Sequence, residues 1–307
     1  MQYINNRTGI LEDNNMNSVC VLMSTYNGEK YIRQQIDSIL NQKMVNVSLI
    51  IRDDGSSDKT IEIIDEFIKN DKRVKLYCGD NVGACESFLN LIWNVGLDYD
   101  YYALSDQDDY WMDNKIISAI ESINNCNKEK RVYCSNVIVT DAELNPLHNR
   151  ILEKKYEYSF GNSLLESKVT GCTVVMEKSF MVLLRQKKKP EKQYIHDWWI
   201  YKMATCYGTL IYDVNAYMYY RQHDNNTIGL SNGIIGRIKR FINNAGKIKS
   251  YVKEQNREFE EIYDLTDEAK YLVNIINHHK FKLMMDKRIR RTSSFENIIY
   301  KMWMMFW

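Results

Sequence analysis

Three short polar segments, each directly after an apolar run, carry the side chains with evident chemistry. They are Ser24-Thr25-Tyr26-Asn27-Gly28, Asp53-Asp54-Gly55-Ser56-Ser57-Asp58 and Ser105-Asp106-Gln107-Asp108-Asp109. Asp53, Asp54, Asp106, Asp108 and Asp109 group carboxylates that repel one another unless a cation or hydrogen-bond donors compensate. An oxygen-only set suits a hard divalent ion, Mn2+ or Mg2+, which usually leaves part of its shell to substrate phosphates. The competing use of these acids is helix capping. Asp58 precedes a helix predicted from near Thr60, and Asp109 and Asp113 are placed to cap one predicted over Trp111–Ile123. Capping accounts for Asp58 but gives no reason for two acids at the very end of a strand. A carboxylate there could accept a hydrogen bond from the N3–H of uracil or thymine. Tyr26 could stack on that base, or equally belong to the core.

The elements that must position these segments follow from periodicity. VCVLM (19–23) is a continuous apolar run, as in a strand buried on both faces. Ile32, Ile36, Ile39 and Leu40 then recur at helical spacing. VSLII (47–51), VKLY (74–77) and YYAL (101–104) read as further strands, with helices marked by Ile61, Ile64, Phe67 and Ile68 and by Phe88, Leu89, Ile92 and Val95. Strands alternating with helices imply right-handed βαβ units, an α/β class and a mostly parallel sheet. Ligands then bind beyond the carboxyl ends of the strands, where the three polar segments fall. VYCSNVIVT (132–140), TGCTVVM (170–176) and GTLIYDV (208–214) are predicted as later strands, and from about Ile234 the chain reads as helical. The predicted organisation is a flexible leader over 1–17, an α/β domain over 18–230 and a helical C-terminal appendage over 231–307.

Composition narrows the function classes. The 307 residues carry 41 Lys plus Arg against 40 Asp plus Glu, a net charge of +1, which argues against binding nucleic acid as a polyanion. No run reaches the roughly 18 consecutive apolar residues of a membrane-crossing helix. The polar N-terminus has no signal-peptide core, and seven scattered cysteines without a C-x-x-C pair read as free thiols, so a cytoplasmic location is expected. No G-x-G-x-x-G follows the first strand and no G-x-x-x-x-G-K-[ST] occurs, which disfavours a dehydrogenase or P-loop ATPase. Gly28 alone is a poor cradle for a pyrophosphate, leaving a metal to neutralise it.

The ordered set SerThrTyrAsnGly, AspAspGlySerSerAsp and SerAspGlnAspAspTyrTrp resembles inverting family 2 glycosyltransferases, over about residues 18–226. LeuSerAspGlnAspAsp, TyrArgGlnHis and AsnAsnThrIleGly are most similar to the bacterial rhamnosyltransferase branch. The resemblance implies a GT-A fold: a Rossmann-like, mostly parallel sheet flanked by helices. It implies that Asp54, with Asp53, Ser24 and Tyr26, forms the nucleoside pocket, and that Asp106, Gln107 and Asp108 form the D-x-D motif that holds ribose and metal-bound diphosphate. Asp108 is the implied direct ligand and Asp109 its close rival. His196-Asp197-Trp198-Trp199 resembles the acceptor-side motif whose acid is the general base, against a bland reading of Asp197 as an N-cap. Trp198 and Trp199 could stack on sugars, and Gly171 resembles a residue lining the acceptor side or is simply a tight turn. Arg221 and His223 could hold the diphosphate or the metal.

The C-terminal part has the opposite charge. From Gly233 to Trp307 there are 15 Lys plus Arg and 9 Asp plus Glu, a net of +6, leaving −5 for the rest. Basic residues beside the aromatic end KMWMMFW suit an interfacial helix at the inner face of the cell membrane. Packing on the core or in a homodimer is the alternative. The function expected is a metal-dependent inverting transfer of a sugar, L-rhamnose from dTDP-rhamnose, to a glycan or lipid-linked saccharide acceptor. The alternatives are a glucosyl- or galactosyltransferase using a UDP-sugar, a nucleotidyltransferase, and a non-catalytic sugar-nucleotide-binding protein.

Overall fold

A computed structural model describes residues 16–147, 158–191, 195–223 and 251–305. The predicted leader, except its last two residues, and the predicted boundary near 230 lie outside the described residues.

Among the described residues eight strands form one sheet: β1 Ser18–Thr25, β2 Asn46–Asp53, β3 Val74–Cys78, β4 Tyr101–Ser105, β5 Tyr110–Trp111, β6 Arg131–Thr140, β7 Val175–Glu177 and β8 Thr209–Arg221. Their order is β3-β2-β1-β4-β7-β6-β8-β5. β1 to β4 pair in parallel, β7 runs antiparallel between β4 and β6, β6 and β8 are parallel, and β5 closes antiparallel on β8. The helices are α1 Ile32–Leu40, α2 Thr60–Asn70, α3 Ala84–Asn94, α4 Lys115–Asn124, α5 Phe160–Ser163, α6 Lys178–Leu184, α7 His196–Tyr207, α8 over 251–262, α9 Asp267–His278, α10 Lys280–Met285 and α11 Ser294–Met305.

β1 shows why a continuous apolar run predicts a central strand. Val19, Val21 and Met23 join the apolar cluster under α1, α2 and α4, while Cys20 and Leu22 join the one under α3 and α7. Alternate side chains point to opposite faces, so a strand covered on both sides has no polar face. Truncating Leu22 to Ala would cost about 2–5 kcal/mol.

Three predicted elements differ. Of TGCTVVM, only the last two residues are strand, in β7; Gly171–Thr173 is a 3-10 turn closed by the Thr173 and Val174 amides on the Thr170 and Gly171 carbonyls. GTLIYDV and the strand-like DVNAYMYY form one continuous strand, because register shifts against β6 after Ser135 and Asn136 absorb its irregularity. The helix predicted from Trp111 starts at Lys115, because Tyr110 and Trp111 pair with Tyr219 and Met218.

The C-terminal helices pack on the α/β domain. Val252, Phe259, Leu272, Ile276 and Tyr300 share one apolar cluster with Trp199, Met203 and Leu165. Glu166, after α5, accepts from the Thr292 amide and hydroxyl and pairs with Arg291. Burial works against its charge, but Arg291, Lys168 and the hydrogen bonds from Asn162 and Thr292 outweigh it and hold its pKa below the ordinary value. Among the described residues no helix is long and apolar enough to cross a membrane.

Candidate active site

Sheet register brings the polar segments together. Thr25 lies beside Asp53 and Met23 beside Ser105, so the loops after β1, β2 and β4 leave the sheet at one edge. Asn27 ties the first loop to the second: its backbone N–H donates to the Ser56 hydroxyl, and its side-chain oxygen accepts from the Ser57 amide. Asp58 accepts from the amides of Glu29 and Thr60, one residue before the N-cap position of α2, which is Lys59, so it joins the two loops rather than capping the helix.

The acids of the second loop are saturated by their own chain. Asp53 accepts from the amides of Gly55 and Ser56 and from the Ser56 hydroxyl. Gly55 sits at φ +83°, where a side chain would be strained, and this lets the turn fold back onto Asp53. Asp54, 2% exposed, accepts from Arg52, from Val82 N at 3.0 Å and from Gly83 N at 2.8 Å. Arg52 also donates to Ser87, which in turn accepts from Ser24 at 2.7 Å. Ser24, Arg52, Asp54 and Ser87 thus form one network below Tyr26, whose side chain is 47% exposed.

Gln107 clamps the first loop to the fourth strand. Its amide nitrogen donates to Tyr26 O at 3.0 Å, and its oxygen accepts from Tyr26 N at 2.9 Å and from the Thr25 hydroxyl. A Cβ on Gly28 would fall 2.2 Å from that oxygen, so the clamp requires glycine.

The acids flanking Gln107 are undersupplied with donors. Burial, then Asp108 and Asp197, push Asp106 up to about 7. Burial, then Asp108 and Asp106, push Asp109 well above its ordinary value. Asp109 is fully buried and its Oδ2 has no hydrogen-bond partner among the described residues. Asp108 faces His223, whose Nε2 lies 2.8 Å from Asp108 Oδ2. The donor set of carboxylates and an imidazole fits Mn2+ or Mg2+, which would compensate these charges. Ligand atoms of Asp106, Asp109 and Cys172 lie within 4.8 Å of one another. Burial and the two acids push the Cys172 thiol well up, so it stays protonated and is a poor ligand for a hard ion. With the thiol set aside, the candidate ligands are the carboxylates of Asp106 and Asp109 and the Asp108–His223 pair, of which Asp109 is the most buried.

Asp197 approaches from the other side. It lies in the first turn of α7, and the N-cap position belongs to Ile195, so Asp197 is not the cap. Gly171 places the 3-10 turn against it: a Cβ there would come 2.8 Å from His196 Nε2 and 3.6 Å from Asp197 Cβ. Burial pushes Asp197 up to about 7, opposed by hydrogen bonds from the Gly171 amide, the Ser167 hydroxyl and the Trp198 amide. Its Oδ1 has no hydrogen-bond partner among the described residues. His196 stacks on Phe88 with centroids 4.1 Å apart, and burial pushes its pKa down to about 3, so it is neutral.

Several residues sit differently from their sequence-based roles. Arg221, expected at the diphosphate, is 3% exposed and donates to Asp108 O at 2.8 Å, to Gln34 Oε1 at 2.6 Å and to Ala142 O. It fixes the backbone that carries Asp108, because a buried guanidinium must satisfy its donors within the protein. Trp198 and Trp199 are both core. Trp198 donates to Ser163 O at 2.6 Å, and Trp199 packs on Phe259 and Tyr263 at 5.1 and 5.9 Å, so neither offers a face to a sugar. Neither Asp109 nor Asp113 caps α4, whose N-cap position is Asn114; Asp113 pairs with Lys43 at the surface.

Arg52, Ser87, Ser167 and Lys115 were not singled out from sequence. Lys115 Nζ lies 3.6 Å from the Trp111 ring centroid, and burial pushes it down to about 7 near Cys172 and Asp109. A lysine in register with Ile116, Ala119, Ile120 and Ile123 on the buried face of α4 was the available signal. Ser167 and Ser87 had none, since isolated serines are common.

The family model described as glycosyl transferase family 2 matches residues 20–188. The dTDP-rhamnosyl transferase RfbG of Shigella flexneri is 34% identical over 233 residues, 71% of this chain and 78% of that protein. Among solved structures, TarS 1–349 of S. aureus in complex with UDP-GlcNAc superposes with a TM-score of 0.59 at 15% identity, covering 86% of this chain and 73% of that one. The mannosyltransferase PcManGT from Pyrobaculum calidifontis, in complex with GDP-Man and Mn2+, gives 0.52 at 12% identity, covering 87% and 71%. At such identities the structural likeness concerns the fold alone, which is the GT-A glycosyltransferase fold.

Proposed function

The chain belongs to glycosyl transferase family 2, and from that premise we propose that it transfers L-rhamnose, with inversion, from dTDP-rhamnose to a hydroxyl of a glycan or lipid-linked saccharide. Membership makes it a transferase with a nucleotide-sugar donor. The choice of rhamnose is supported by its likeness to the Shigella flexneri protein over most of both chains.

The observation that carries the mechanism is the state of Asp197. It is pushed up to about 7, anchored by the turn at Gly171, left with Oδ1 unpartnered, and close enough to Asp106 to raise that acid's pKa. A carboxylate so placed takes the acceptor hydroxyl's proton as that oxygen attacks the anomeric carbon from the face opposite the nucleotide. Tyr26 stacks on the base, with its backbone held by Gln107. Asp54 shapes the base pocket by holding the Val82–Gly83 backbone. Asp106, Asp109 and the Asp108–His223 pair are the candidates to hold Mn2+ or Mg2+, which when bound stabilises charge on the leaving diphosphate. Arg221 and Gln107 keep that loop in place.

Asp197→Asn is expected to lower transfer about 10²–10⁴-fold while dTDP-rhamnose binding by calorimetry stays within a fewfold. An equal loss of donor affinity would place Asp197 in the donor pocket and overturn the base assignment. Binding assays with dTDP-rhamnose, UDP-glucose and UDP-galactose test the donor, and preference for a UDP-hexose would replace the rhamnose reading.

A further inference from the structure

The surface of the C-terminal layer reverses the usual pattern of a helix on a folded domain. α11 buries Tyr300, Lys301 and Met304 and turns Phe295, Ile298, Met302 and Met305 outward, 57, 56, 49 and 36% exposed. Spacings of three, four and three residues place these four on one face. α10 does the same on a smaller scale: Leu283 is buried, while Phe281 and Met285, one turn apart, are 75 and 71% exposed. α9 shows the ordinary arrangement beside them, with Asp267, Lys270, Asn274 and His278 outward and Leu272, Val273 and Ile276 inward. A soluble surface tolerates single exposed apolar side chains, but aligned stripes mark a surface that meets something.

The charges around the stripes say what that is. Residues 280–305 contain seven Lys plus Arg and two acids. Arg288 and Arg291 pair with acids, and Lys301 donates to the Asp286 carbonyl. Lys280, Lys282, Lys287 and Arg290 are exposed around Phe281 and in the turn that joins the two helices. That turn also walls a cavity of about 590 Å³, lined by Lys287, Arg288 and Arg290, by Ser159, Thr205 and Thr266, and by Glu268, which pairs with Arg288. A second copy of this chain docked about a two-fold axis would bring one lysine-rich patch against its own image. Anionic headgroups complement the cations, and the acyl boundary accepts the apolar stripes.

We propose that the outward faces of α10 and α11, with the basic turn between them, dock the protein on a bilayer that carries anionic lipid. Phe281, Met285, Phe295, Ile298 and Met302 enter the boundary between headgroups and acyl chains, while the lysines and arginines stay at headgroup level. The surface acts independently of which sugar is transferred, so its failure would leave the donor reading untouched.

The test uses the full chain with vesicles of phosphatidylcholine alone and vesicles with about 30 mol% phosphatidylglycerol, in low and high salt, read by co-sedimentation. Binding is expected to be about tenfold or more tighter on the anionic vesicles and to weaken with salt. Phe281→Ser with Met285→Ser, and separately Ile298→Ser with Met302→Ser, should each weaken it by about tenfold or more. All four side chains are largely exposed, so the melting temperature and donor binding of these variants should match the parent. Wild-type protein that stays in the supernatant with anionic vesicles would overturn the proposal. So would a dimer by light scattering that the same substitutions convert to monomer, which would assign the stripes to self-association.

Discussion

Asp53 and Asp54 at the end of β2, and Asp106, Asp108 and Asp109 at the end of β4, stand on either side of β1 at one edge of the sheet. In the first loop amides, hydroxyls and Arg52 supply every acid with donors. In the second, burial and neighbouring carboxylates push Asp106 and Asp109 upward, and Asp109 keeps an oxygen with no partner among the described residues. Acids saturated by their own chain hold a loop in shape. Acids held close together without donors are ready for a charge from outside the chain. The contrast distinguishes two segments of nearly the same composition by how far their own chain satisfies their acids.

Removing a carboxylate from each loop should break them in different ways. Asp108→Asn is expected to lower transfer by about 10²-fold or more, since one charge beside the cation is lost, while leaving urea stability within about 0.5 kcal/mol. A large loss of stability instead would make the second loop scaffold as well. Asp54→Ala should do the reverse first: about 3 kcal/mol of stability lost in urea unfolding, because Arg52 and two amides are left buried without their acceptor.

A pH series sharpens the contrast. The folded pKa values of Asp106 and Asp197 lie near 7, above the ordinary 3.8, so the folded protein binds more protons than the unfolded chain between about pH 4 and 7. Their contribution to stability is therefore most favourable below that window and declines as pH rises through it. Mn2+ favours the charged carboxylates, so the rise in Tm on adding Mn2+ is expected to be larger at about pH 8 than at about pH 5.5. An equal rise at both would show that these acids are not the ones the ion meets. The smallest expected effect lies farther from the acids. Trp198→Phe should cost about 1–2 kcal/mol through its lost hydrogen bond to Ser163 and leave the KM for acceptor unchanged. A raised KM would return Trp198 to the acceptor side.

Much of the fold was legible because buried strands and amphipathic helices leave periodic traces. VCVLM and the three runs after it became β1 to β4, and the residues directly beyond them became the candidate site. TGCTVVM misled because a β-rich stretch of small and branched residues suits a buried turn as well as a strand. Arg221 misled because a guanidinium looks alike in sequence whether it faces a diphosphate or the Asp108 and Ala142 carbonyls. The tryptophans beside Asp197 share a helix turn with it, but only the packing of Phe259 and Tyr263 reveals that Trp199 is closed off. The basic tail was legible as composition, whereas its division into a buried seam and an outward stripe was not.

Residue types, order and spacing by themselves determined a sheet of parallel βαβ units with acids beyond its strands, because burial on two faces and the chemistry of carboxylates are local properties. Which of those acids are already hydrogen-bonded was decided only by the tertiary structure. Lone pairs are taken up by groups distant in sequence: Val82 and Gly83 reach Asp54, and Gly171 and Ser167 reach Asp197. A carboxylate's availability depends on those neighbours, and only the folded chain brings them within bonding distance.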